Sequence, residues 1–371
     1  MPIVRVACYR QEQPFRDGPY AVSGGRVSLG FDSLVVRLTA ADGTEGHLIE
    51  GWGEMSPLGT TYDPAFAGGA RAAALELAPA LVGLPADQPL ALKRSLDRAL
   101  KGHPYAKSAF DMAGWDLAAR LAKRPLAEFL GGRYGEGTAL YRSLSQEGPE
   151  AMAARARKYW AEGYRRLQVK VGGDPLEDEA RLRAVAAALP AGAVLFCDAN
   201  GGYAVGDARR FLGRTADLDY VFEQPCATYR ESVSLRGHCP HPLVLDENIV
   251  DLESVVMAAL DGVDGITIKS ARAGGVTPAR LLRDAAVELG LKVTVEDTGG
   301  SDLDTAAMAH LSLSTPAERR QHTVDFHNWV TVSNGSGLPG TEGGLLRAPT
   351  GPGLGIAVDL ASLGAPLLEV G

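Results

Sequence analysis

Lys170, Asp198, Glu223, Asp246, Lys269 and Asp297 follow one another at steps of 28, 25, 23, 23 and 28 positions. Each lies at or near the end of a short apolar run, in RLQVKV, AVLFCDAN, YVFEQP, PLVLDE, GITIKS and KVTVED. One acid after a strand is commonly a helix N-cap. Six successive strand ends bearing such groups need another explanation, because a buried charge cluster is costly unless a cation or a substrate neutralises it. Asp198, Glu223 and Asp246 offer only hard oxygen donors, with no cysteine or histidine among them, which suits Mg²⁺. An ion pair between Lys170 and Asp198 accounts for those two residues without any chemistry. The segment GHCPHP, with His238, Cys239 and His241, carries soft donors but has no matching second pair, so it is read as chance composition.

These residues need a scaffold that gathers strand ends. In RRLQVKVGG, alternation sets Leu167, Val169 and Val171 on one side and Gln168 and Lys170 on the other. Similar strands recur from about Thr138 to HTVDF, eight in all, with helical stretches such as EDEARLRAVAAAL and TPARLLRDAAVELG between most of them. Eight βα units in series predict a closed (β/α) barrel, whose strand ends converge on one mouth. A doubly wound open sheet is the rival, but no GxGxxG follows its first strand.

In a barrel, Lys170 belongs to the second strand and Lys269 to the sixth, so their amines face one another with the acidic strands between. A carboxylate substrate held by the cation would present its α-carbon to both amines. One would remove a proton and the other would deliver one to the opposite face. That α-proton is only weakly acidic, so the reaction relies on a divalent cation to stabilise the enolate. It also needs a neutral lysine, which a nearby cation and desolvation favour by lowering its pKa.

Before the barrel, Val27 to Thr39 and His47 to Glu54 read as strands flanking ADGTEG, whose Asp42-Gly43 pair signals a hairpin. Helices follow at Ala65 to Leu81, Leu90 to Leu100 and Ala106 to Ala122. The chain divides into an α+β domain over 1–132, the barrel over 133–332 and a tail over 333–371 that packs back on the first domain. Its 371 residues carry 45 acidic and 37 basic side chains, a net charge of -8 that argues against a nucleic-acid surface. No apolar run reaches the roughly 20 residues of a membrane span. Cys8, Cys197, Cys226 and Cys239 form no CxxC pair, and the start MPIVRVACYRQEQPF does not read as a signal peptide. The expected location is the cytoplasm.

With QVKVGG, DAN, LDEN and TIKSARAGG, the chain resembles the enolase superfamily in its muconate lactonizing enzyme and mandelate racemase branches. That resemblance covers nearly the whole length. It implies a modified (β/α)7β TIM-type barrel with an α+β cap made by the N-terminal part and the tail, and a homo-oligomer. It also implies Asp198, Glu223 and Asp246 as Mg²⁺ ligands, Lys170 and Lys269 as acid and base, and Asn200 and Glu247 as residues orienting the site. The muconate lactonizing branch usually carries Lys-x-Lys on the second strand, and here Gln168 replaces the first lysine.

The segments GEMSPLGTTYDPAF, GHPYAKSAFDMAGWD, FEQPC and VEDTGGSDLDTAAMAHL are similar to the proline-betaine epimerases and cis-3-hydroxyproline dehydratases. This narrower likeness implies an amino-acid-like substrate, an acid near Asp297 pairing with its cationic nitrogen, and a lid carrying Tyr62 and Tyr20. With both lysines present, epimerisation is the favoured outcome and dehydration the alternative. A cycloisomerase or a non-catalytic binding protein ranks lower.

Overall fold

The molecule is described here from a computed structural model, covering residues 1–41 and 47–371. The Asp42-Gly43 hairpin signal lies outside the described residues. Four antiparallel strands form the cap sheet in the order Leu368–Val370, Ile3–Pro14, Gly30–Ala41 and Leu48–Met55. The tail thus packs back on the N-terminal part, as expected. Strand Ile3–Pro14 escaped the sequence reading because both its faces are covered, which blurs the alternation of apolar and polar residues. Val6 and Cys8 pack under the cap helices, while Ala7 and Tyr9 pack toward the barrel. The strand expected from Val27 begins at Gly30 instead. Val27 belongs to a separate small hairpin, Tyr20–Val22 with Arg26–Ser28.

Three cap helices, Ala67–Leu77, Pro89–Ala99 and Pro104–Leu121, fall where periodicity predicts them. The third lies directly on strand Leu48–Met55, where Gly51 and Gly53 replace side chains. A Cβ at these positions would stand 2.4 Å from the Ala113 carbonyl oxygen and 2.0 Å from that of Ala109.

Seven parallel strands run in sequence order: Tyr141–Leu144, Arg166–Lys170, Val194–Asp198, Val221–Glu223, Leu243–Leu245, Gly265–Lys269 and Lys292–Glu296. Their outward residues, such as Leu167, Val169, Leu195, Cys197, Ile266 and Ile268, form the core beneath the surrounding helices. The eighth position, expected at HTVDF, is occupied by a short irregular stretch. Gln321 N–H donates to the Val293 carbonyl at 2.8 Å and Thr323 N–H to the Ala139 carbonyl at 2.9 Å, which closes the barrel. No helix among the described residues is long and apolar enough to cross a membrane.

Candidate active site

Strand register brings the ionisable residues to one level. Lys170 pairs with Asp198, Asp198 with Glu223, and Lys269 with Glu296 across neighbouring strands. All five side chains and Asp246 are buried. Lys170, Lys269, Asp198 and Glu296 line a single cavity of about 30 Å³, walled by Tyr20, Tyr62 and Trp329 among others.

The turns that follow the strands are specialised. After Lys170 the chain reverses through Gly172, at φ 96°, where a Cβ would stand 2.4 Å from the Ala199 carbonyl oxygen. The N–H groups of Gly172 and Gly173 both donate to the Asp178 carboxylate, at 2.9 and 2.8 Å. Asn200 and Gln224, just beyond Asp198 and Glu223, adopt left-handed backbone at φ 44° and 35°. Such strain persists only where the surroundings over-determine it. The Gln224 amide oxygen accepts from Asp246 N–H at 2.9 Å, and its nitrogen donates to Asn248 Oδ1 at 2.6 Å, so it holds the end of the neighbouring strand.

The ion pair weighed between Lys170 and Asp198 is present at 2.5 Å. Asn200 donates to Asp198 at 2.9 Å and to Glu247 at 3.0 Å, joining the two residues expected to orient the site. Gln168 donates to Glu223 Oε2 at 2.8 Å, and Thr267 donates to Oε1 at 2.8 Å. On the other side Lys269 reaches Asp246 at 3.0 Å, Glu296 at 3.3 Å and the Tyr62 hydroxyl at 2.5 Å. Tyr62 in turn donates to Asp246 at 3.0 Å. Tyr20 bonds Ser143 through its hydroxyl at 2.8 Å, on the Lys170 side of the same cavity.

Arg272 escaped the sequence reading, although TIKSARAGG contains it. Its guanidinium donates to Asp246 Oδ1 at 2.7 Å and pairs with Asp63 at 3.0 Å. Glu296 was missed by one position. The alternation used for Lys170, applied to KVTVE, sets Val293 and Val295 outward and Thr294 and Glu296 inward. Asp297, the residue chosen instead, borders the cavity, but its oxygens accept N–H bonds from Ala271 at 3.0 and 3.1 Å and from Thr298 at 2.8 Å.

Burial and the charges of Asp198 and Asp246 push the Glu223 carboxyl well above the usual carboxylate range. Burial, Asp246 and Asp198 likewise push Glu247 up to about 7. For Asp246, burial acts upward, but Arg272 and Lys269 outweigh it and hold the carboxyl below its ordinary value. Burial favours neutral lysines, yet Asp198 beside Lys170, and Asp246 and Glu296 beside Lys269, overcome it and keep both amines charged. The neutral base expected from the sequence therefore requires that these carboxylates be offset by something else.

A divalent cation fits that need. The carboxyl groups of Asp198, Glu223, Asp246, Glu247 and Glu296 outnumber the cations Lys170, Lys269 and Arg272. Glu247 Oε2 and Asn200 Oδ1 are sealed from solvent with no hydrogen-bond partner. Among the described residues no three acids, histidines or cysteines stand ready as a metal cage. The oxygens of Asp198, Glu223 and Asp246 are instead engaged by lysine, arginine, amide and hydroxyl groups, some of which would have to yield to an ion.

Residues 151–362 match the family described as Enolase C-terminal domain-like. Residues 5–131 match the Mandelate racemase / muconate lactonizing enzyme, N-terminal domain. A cis-3-hydroxy-L-proline dehydratase from Roseibium aggregatum is 40% identical over 368 residues, 99% of each chain. A hydrophobic dipeptide epimerase from Roseobacter litoralis is 34% identical over 301 residues, 79% of this chain and 83% of that one. Among solved structures, a member of the enolase superfamily from Roseovarius nubinhibens ISM, complexed with magnesium, has a TM-score of 0.91 at 33% identity, covering 99% of each chain. The capped barrel and both family matches agree: this chain belongs to the enolase superfamily, in its mandelate racemase / muconate lactonizing enzyme group.

Proposed function

We propose that this enzyme is a Mg²⁺-dependent dehydratase of cis-3-hydroxyproline or a closely similar β-hydroxy amino acid. The observation that carries the reading is the pair of amines, Lys170 and Lys269, lining one cavity from the second and sixth strands. The choice of dehydration rests on the full-length likeness to the dehydratase, and it reverses the preference for epimerisation that the two lysines suggested.

Stereochemistry removes that preference. In cis-3-hydroxyproline the hydroxyl and carboxylate share one ring face, so the α-hydrogen and the hydroxyl lie on opposite faces. Their loss is an anti elimination that uses a base on one side and an acid on the other. One lysine takes the α-proton, leaving its electron pair in the enolate. That pair forms the ring double bond as the C–O bond breaks, and the other lysine protonates the departing oxygen to give water. The enamine product then tautomerises to the cyclic imine.

Asp198, Glu223 and Asp246 would hold Mg²⁺, with Asn200, itself held by Glu247, fixing Asp198 from behind. When bound, the ion offsets the buried carboxylates and stabilises negative charge developing on the substrate carboxylate. With those carboxylates offset, desolvation again favours the neutral amine of a lysine base. Glu296 and the aromatic wall at Trp329 and Tyr20 suit the substrate's cationic nitrogen. The present cavity of about 30 Å³ holds little more than a water, so a ring-sized substrate enters only when the segments carrying Tyr62 and Tyr20 move aside.

The reading is tested by proton NMR in D₂O with Mg²⁺ and cis-3-hydroxyproline, trans-3-hydroxyproline and proline betaine. Loss of the hydroxyl-bearing centre from the cis isomer is expected. Deuterium at an inverted α-carbon would restore epimerisation. No change in any compound, with Mg²⁺ binding shown by calorimetry, would overturn both.

A further inference from the structure

Arg142 lies on the first barrel strand, Tyr141–Leu144, between two residues that face the cavity side. Tyr141 lines the cavity and Ser143 bonds Tyr20. By alternation Arg142 projects the other way, and its side chain is only 7% exposed. Its guanidinium lies 4.6 Å from the ring centre of Trp329 and 5.1 Å from that of Tyr159. It also stands 3.4 Å from the Asp17 carboxylate and 3.7 Å from that of Asp325.

The two acids belong to the two segments that wall the cavity. Asp17 precedes Tyr20 and is also held by Lys158 at 3.3 Å and Tyr159 at 3.2 Å. Asp325 opens the short turn Phe326–Asn328 that leads to Trp329, and it accepts from Tyr164 at 2.7 Å and Asn328 at 2.8 Å. The segments are stitched to each other by Arg16 N–H to the Trp329 carbonyl at 2.7 Å and Thr331 N–H to the Pro14 carbonyl at 3.0 Å. Behind the junction is an open cleft of about 400 Å³ bordered by Arg16, Asp17, Arg142 and Asn328. On the cavity side Trp329 packs against Tyr20 and Phe326, so on the cleft side the wall is backed by Arg142 rather than by further apolar core.

We propose that Arg142 is a positioning residue for substrate: from outside the cavity it braces Trp329 and ties the segments bearing Tyr20 and Trp329 to the barrel. A guanidinium suits this role because it can stack on an aromatic ring while its edge donors reach carboxylates. Removing it leaves Asp17 and Asp325 without their shared cation and the indole without its backing.

The test combines hydrogen exchange with steady-state kinetics on Arg142→Met, Arg142→Lys and Asp17→Asn. In Arg142→Met, exchange of both 13–30 and 320–334 should rise about tenfold while strands 166–170 and 194–198 keep their protection. KM should rise roughly tenfold with kcat changed less than about threefold. Arg142→Lys should fall between, and Asp17→Asn should loosen 13–30 but not 320–334. Unchanged exchange in both segments, or faster exchange spread evenly through the barrel, would overturn the proposal. The kinetic arm rests on the dehydratase reading, whereas the exchange arm does not. A wild-type enzyme inert toward cis-3-hydroxyproline would therefore sink that reading and leave the brace to be judged on exchange alone.

Discussion

The two lysines stand in unlike halves of the site. The ion pair of Lys170 is with Asp198, and Gln168, Asp198 and Asn200 all belong to the barrel. Lys269 is bonded to Tyr62, which comes from the cap, as well as to Asp246 and Glu296. Its neighbour Arg272 is fastened to Asp63 of the same cap loop. Both halves meet the cap, but differently: Tyr20 and Arg26 reach the Lys170 half through Ser143 and Asn200, whereas the cap loop's Tyr62 bonds the Lys269 amine itself. Two chemically identical groups thereby acquire different dependence on the cap.

The most severe way to break the comparison is to remove either amine. Lys170→Ala and Lys269→Ala should each lower kcat by roughly 10³-fold or more, since each amine handles a proton in the proposed reaction. Near-wild-type turnover in one of them would show that a single lysine suffices. Tyr62→Phe separates the halves, because its hydroxyl touches Lys269 and Asp246 but no residue of the Lys170 half. We expect kcat/KM to fall about tenfold, measured together with the pH profile, and no effect at all would mean that the cap loop does not shape the Lys269 side.

Gln168→Lys sharpens the Lys170 half by restoring the amine common in the muconate lactonizing branch. A second cation beside Lys170 lowers the pH at which Lys170 loses its proton, so the corresponding limb of the kcat/KM profile should move down by about one unit. An unmoved limb would assign that titration to another group.

The smallest effect concerns Asp111, outside both halves, whose carboxylate accepts bonds from Thr277 N–H and hydroxyl at 2.7 Å each. Burial pushes it up from 3.8 to about 7. A raised acid binds its proton more tightly in the folded state, so its stabilising contribution is present below about pH 4 and is lost as pH rises to about 7. Asp111→Asn should remove that component, read as a flatter pH dependence of the urea midpoint relative to the wild type, with kcat/KM unchanged.

The halves also differ in how legible they were. Lys170, Asp198 and Glu223 end regular strands in register, so spacing and alternation located them. Glu296 follows the same rule, and only its neighbour Asp297 drew attention away from it. Arg272 gave no periodic signal because it lies in the short helix Ser270–Ala273 beyond the strand, and its partner Asp63 is more than two hundred residues away. The cap strand Ile3–Pro14 and the irregular closure at 320–323 were obscured for related reasons: one is covered on both faces, and the other pairs by isolated bridges. Local pattern reports which way a side chain points, while partners contributed by distant loops leave no mark on it.

The cap sheet places strand Leu368–Val370 directly against Ile3–Pro14. During synthesis, a strand that precedes the barrel therefore waits with an unpaired edge until the whole barrel and most of the tail have been made. Completion of the cap sheet waits for the tail, and an exposed β-edge is the hazard that a truncated or stalled chain would present to its neighbours.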